Sequence, residues 1–126
     1  MIRISISFRG SKGEENLSAL FDTGSTYSLI REDIAQKIGN TDRLPKPRYF
    51  ETVSSSEYLK VEKGMLMNFK INDITLSDEF MVASGLSEEV IIGATTMQKW
   101  RIKLDFEHDA VIVDPRVAKL ILKDLK

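Results

Sequence analysis

A chain of 126 residues, 42% hydrophobic and 29% charged, has the length and balance of one globular domain, and its net charge of −1 leaves no basic stripe for nucleic acid. It has no cysteine, which excludes disulfides and zinc–thiolate sites, and one histidine, His108, too few for a multi-histidine metal site. No apolar run reaches membrane-spanning length and residues 1–8 are too polar for a signal peptide, so the expectation is a cytoplasmic protein without membrane or nucleic-acid partners.

Ile2, Ile4, Ile6 and Phe8 alternate with Arg3, Ser5 and Ser7, the period of two of a half-buried strand. Gly10-Ser11-Lys12-Gly13 reads as a hairpin turn and residues 16–21 as the return strand; the glycines lack the strand-loop-helix surroundings of a phosphate loop. Residues 26–30 read as a third strand, and residues 31–38 as a short helix stopped by Gly39. Pro45 and Pro47 mark a loop. Residues 48–53 and 58–62 read as a hairpin, and residues 65–71 and 74–82 as two strands turning at Asn72-Asp73. Residues 90–92 form a short apolar strand before Gly93, residues 94–100 one or two helical turns, and residues 102–106 and 110–113 a last hairpin. The tail, 116–126, places Val117, Leu120, Ile121 and Leu125 on one helical face. Many short strands with little helix predict an all-β barrel or sandwich.

Behind the second strand stands Phe21-Asp22-Thr23-Gly24-Ser25-Thr26. A carboxylate there costs free energy unless donors satisfy it. A plain turn would explain it: Asp22 bonds backbone N–H groups and Gly24 takes a positive φ. The surroundings suggest more. The motif lies between two strands, and Ile91-Ile92-Gly93 later repeats the pattern of an apolar strand cut by glycine before a helix.

With a hairpin between them, these two motifs resemble the retroviral-type (retropepsin-like) aspartic protease family, in element order over about residues 2–100. The resemblance implies a mostly β fold with short helices, a closed barrel-like half-lobe over residues 1–126 as a single domain, with 115–126 as a helical extension. Such proteases need two carboxylates that share one proton, one acting as general base on a water and the other as general acid. One motif per chain then implies a homodimer in which Asp22 and its symmetry mate form the dyad and cleave an extended polypeptide, with no metal and no cofactor. By the same resemblance Thr23 reaches across the axis and Gly24 offers its N–H to the carboxylate. Ser25 donates to the outer carboxylate oxygen, implying a more acidic optimum than alanine there would give. A flap is expected over residues 48–61, with Val53, Ser54, Ser55 and Ser56 at the substrate; Ile91, Ile92 and Gly93 pack beneath the site with Phe21 and Ile30. No glycine occurs between Gly39 and Gly64, so the small polar tip Ser54-Ser55-Ser56-Glu57 is less free at positive φ, as in a shorter, more open flap or a plain surface loop. Two alternatives stand beside the endopeptidase: an inactive retropepsin-like module that dimerises or binds peptide, and an unrelated small β domain. Elsewhere, His108 and Glu88-Glu89 are expected to be solvated, Asp105 to point outward, and Trp100 to join the core.

Overall fold

The computed structural model describes residues 1–52, 55–114 and 116–117. Val53, Ser54 and the tail from 118 therefore lie outside the described residues, as do the side chains of 51–58, Ser55 and Ser56 among them.

Strands β1 (Ile2–Arg9) and β2 (Glu14–Phe21) pair antiparallel in full register from Ile2↔Phe21 to Arg9↔Glu14. Their turn closes with Gly10 N–H donating to Gly13 O at 2.9 Å, and Lys12 and Gly13 both donate to Ile38 O. Gly10 presses so close that a Cβ would strike the Ile38 carbonyl, which explains the glycine without any ligand. Strand β3 (Leu29–Arg31) leads into α1 (Glu32–Ile38), which buries Ile34, Ala35 and Ile38. Glu32 and Asp33 in its first turn complement the helix dipole where Arg31 offers no side-chain cap. Strands β4 (Asp42–Thr52), β5 (Ser55–Ile71), β6 (Ile74–Ala83) and β7 (Val90–Ile92) follow, then α2 (Ala94–Lys99) and the hairpin β8 (Ile102–Asp105) and β9 (Ala110–Val113).

The main sheet runs β1-β2-β7-β3-β6-β5-β4, and an added β1–β5 pairing closes six of these strands into a barrel, with β4 outside on β5. Phe8↔Phe69 and Arg9↔Asn68 form that closing seam. The barrel is filled at this point by Phe8, Phe69 and Phe80: Phe8 and Phe69 stack at 5.7 Å and Phe80 meets both edge-on at 5.8 Å. Each is fully buried, and burial of such a ring contributes about 1.5–3 kcal/mol. A second cluster, including Leu20, Leu29, Val61, Met81 and Ile91, packs β2, β3 and β7 against the base of the β4–β5 arm.

Three elements differ from the sequence reading. The third strand begins at Leu29 rather than at 26, because residues 25–28 are spent on the turn behind Asp22. Pro45 and Pro47 lie inside β4, not in a loop, within a register break between Arg43 and Arg48. An edge strand tolerates proline because one side of its backbone needs no partner. The strands read at 58–62 and 65–71 are one continuous β5, which passes through Gly64 and shifts register between Val61 and Lys63. Asn72 (φ 52°) and Asp73 (φ 65°) form the expected tight turn.

Candidate active site

Asp22 follows the last residue of β2. Its strand is anchored by parallel pairing of Phe21 with Ile92, and its own N–H donates to Ile92 O at 3.0 Å. From there the chain turns: Ser25 N–H donates back to Asp22 O at 3.1 Å. The Asp22 carboxylate accepts the Gly24 N–H at Oδ1, 2.9 Å, so the motif carries the donor that an ionised carboxylate at this place requires. Gly24 does not have a positive φ. Its glycine matters for space, since a Cβ would lie 3.2 Å from the Asp22 oxygen. Asp22 is half-buried, and Thr23 and Gly24 are exposed at the tip.

The turn is fixed from below by the chain after β7. Ala94 N–H donates to Ser25 O at 2.7 Å and Thr95 N–H to Thr26 O at 3.0 Å. Gly93 sits in the crossing: a Cβ there would strike the Tyr27 carbonyl and lie 2.8 Å from Ser25 O. Phe21, Ile30, Ile91 and Ile92 are all buried beneath. The structure thus brings Asp22, Thr23, Gly24 and Ser25 together with Ile91, Ile92 and Gly93 in one interlocked unit.

Ser25 departs from its expected partner. Its hydroxyl donates to Tyr27 O at 2.7 Å, inside the turn, and not to the Asp22 carboxylate. The hydroxyl proton is thereby spent within the turn.

Several contributors escaped the sequence reading. Ser28 and Thr96 are the two buried polar residues among those described, at 2% and 1% exposure. Gly93 N–H donates to Ser28 Oγ at 3.0 Å, Ser28 Oγ lies 2.6 Å from Thr96 Oγ1, and Thr96 Oγ1 donates to Asp78 Oδ2 at 2.7 Å. A hydroxyl just before the apolar pair Leu29-Ile30 and the Thr95-Thr96 pair in α2 were the only signals. Tyr27 also matters: its ring meets Phe50 edge-on at 5.6 Å, and the Arg48 guanidinium lies 5.2 Å over it, joining the β4 arm to the turn.

A cleft of about 600 Å³ opens beside the turn, lined by Thr23, Ala94, Met97, Arg101, Phe106 and Arg116 among others. At its rim Arg116 pairs with Asp114 at 2.6 Å and holds that carboxyl well below the usual carboxylate range; the Arg116 N–H bond adds to this, and Arg101 more weakly. Glu88 and Glu89 are tied into the fold rather than solvated: Arg3 grips Glu88 at 2.6 Å and lowers its pKa, and Glu89 accepts the Ser18 N–H. His108 is exposed, with Nδ1 2.8 Å from Asp105, so Asp105 has a partner in the β8–β9 turn. Glu107 offers a carboxylate oxygen within 4.8 Å of both, an acidic grouping at the surface that by itself assigns no ligand. Trp100 packs on the core and donates its Nε1–H to Ser77 O.

Residues 5–96 match the family model described as aspartyl protease. The chain belongs to the aspartyl protease family. Within this family its fold is retropepsin-like. The retroviral protease-like domain of Ddi1 from Leishmania major superposes with a TM-score of 0.71 at 13% identity, over 91% of this chain and 89% of that one. The EIAV protease, solved in complex with the inhibitor HBY-793, superposes with a TM-score of 0.63 at 15% identity, over 82% of this chain and 91% of that one. At such identities the likeness is one of fold.

Proposed function

We propose that this aspartyl protease family member is a homodimeric endopeptidase that cleaves extended polypeptides with two Asp22 carboxylates. The observation that carries the reading is the setting of Asp22. It is half-buried on a turn locked by four backbone–backbone bonds, with Gly24 N–H as its side-chain partner among the described residues. One carboxylate per chain is half of an acid–base pair. A two-fold axis past the exposed Thr23 and Gly24 supplies the other half. The two groups share one proton because like charges at that distance do not both ionise. The ionised Asp22 takes a proton from a water, which attacks the scissile carbonyl; the protonated Asp22 gives its proton to the carbonyl oxygen. A proton then passes to the leaving nitrogen as the tetrahedral intermediate collapses. The substrate lies as an added strand beneath the β4–β5 arms.

Digestion of a peptide library at acidic pH, with wild type and Asp22→Asn side by side, tests this. Cleavage by wild type and its loss by at least 10³-fold in the variant are expected. Undiminished cleavage by Asp22→Asn would remove Asp22 from the chemistry, and a monomeric solution mass would remove the dyad. The glycine-free stretch between Gly39 and Gly64 favours a second reading, a peptide-binding module that does not cut, which predicts peptide retention without products.

A further inference from the structure

We propose that Ser28, Thr96 and Asp78 are positioning residues that set the Asp22 turn through a one-directional hydrogen-bond chain ending at Gly93. The proposal rests on the protease reading for its catalytic consequence, but its geometry stands independently. An ionised carboxylate accepts and never donates. Asp78 Oδ2 therefore takes the Thr96 hydroxyl proton at 2.7 Å. With its proton committed, Thr96 Oγ1 can only accept from Ser28 across their 2.6 Å contact. Ser28 Oγ in turn has only lone pairs left for Gly93, whose N–H it accepts at 3.0 Å. One charged group thus orders three hydrogen bonds, and each bond polarises the next.

The chain begins at the edge of the fold and ends under the site. Asp78 is held in place by the Glu79 N–H at 2.8 Å and faces Lys99 Nζ at 3.6 Å. Ser28 and Thr96 are buried, so water cannot replace a lost partner cheaply. Gly93 is the residue whose neighbours on either side hold the turn: Ile92 O accepts from Asp22 N–H and Ala94 N–H donates to Ser25 O. Ser28 is also fixed through its backbone, its carbonyl accepting Met81 N–H at 2.9 Å. Strand β6, which bears Asp78 and Met81, is thereby coupled at two points to the turn behind Asp22. None of the three side chains needs to touch substrate to affect the carboxylate's aim.

Two measurements on Thr96→Val, Thr96→Ser, Asp78→Ala and Asp78→Asn test this. The first is amide hydrogen exchange at Gly93 in the folded protein. Thr96→Val and Asp78→Ala are expected to raise its rate about tenfold or more, while Thr96→Ser, which keeps the hydroxyl, stays near wild type, and Asp78→Asn, which offers one acceptor oxygen where two are used, falls between. The second is peptide cleavage, where Thr96→Val and Asp78→Ala are expected to lower kcat about tenfold with KM changed less than about twofold, with rescue by Thr96→Ser. Unchanged exchange at Gly93 in both disruptive variants would overturn the chain; so would an equal change in all four. If wild type cuts no peptide, the protease reading fails, while the exchange measurement alone still decides the hydrogen-bond chain. Should Thr96→Val fail to fold, Asp78→Ala, at a partly exposed site, carries the same test.

Discussion

At the scale of single residues, close approach governs the site more than backbone conformation does. Gly93→Ala would push a methyl group into the Tyr27 carbonyl. We expect it to cost about 1–3 kcal/mol, read as a lower denaturant midpoint at unchanged m-value. Ser25 gives the opposite kind of expectation. Because its hydroxyl is spent on Tyr27 O, Ser25→Ala should leave the pH–rate profile in place while lowering stability by about 1 kcal/mol. A profile displaced toward higher pH would restore the carboxylate contact. Asp114 provides a pH test of the fold itself. Its folded pKa is depressed, first by the Arg116 side chain, so the group stabilises the native state above its unfolded pKa near 4 and loses that contribution as pH falls toward the lower folded value. Asp114→Asn should therefore be less stable than wild type at neutral pH, with the gap closing as thermal melts are repeated below about pH 4.

At the scale of elements, period-two alternation made β1 legible, and the Asn72-Asp73 turn was plain because its residue types tolerate positive φ. The two motifs that interlock, Phe21–Asp22–Thr23–Gly24 and Ile91–Ile92–Gly93, were readable as well. What escaped was tertiary. Pro45 and Pro47 signal a loop locally, and only the edge position of β4 makes them harmless. Lys63-Gly64 looked like a break between strands, but β5 runs on through it, with a register shift just before Lys63. Ser28 and Thr96 are 68 residues apart, and no local pattern announces that they meet. The β5–β6 turn also offers a test. Asp73 has φ 65°, a conformation that costs a non-glycine residue about 1 kcal/mol. Asp73→Gly, which creates the preferred Asn-Gly pair, should gain about 0.5–1 kcal/mol in chemical denaturation.

At the scale of the whole molecule, the barrel's integrity rests on a short closing seam over a cluster of three phenylalanines. Phe8 belongs to both. Phe8→Ala is expected to cost about 3–5 kcal/mol, a large share of the 5–15 kcal/mol available to a domain of this size. A scanning calorimetry midpoint lowered by only a degree or two would show that the seam is not where stability is concentrated.

The pairing of Ala19 through Phe21 with Val90 through Ile92 has a consequence during synthesis. A ribosome emits the acidic residue at position 22 about seventy residues before the segment that will fix its orientation. Hairpins joining neighbouring stretches can form while the chain is short, but the parallel contact must wait for a distant loop to close. Until the polypeptide past Thr96 has emerged, a nascent chain carries the carboxyl group without its scaffold. The site is completed only when that distant segment arrives.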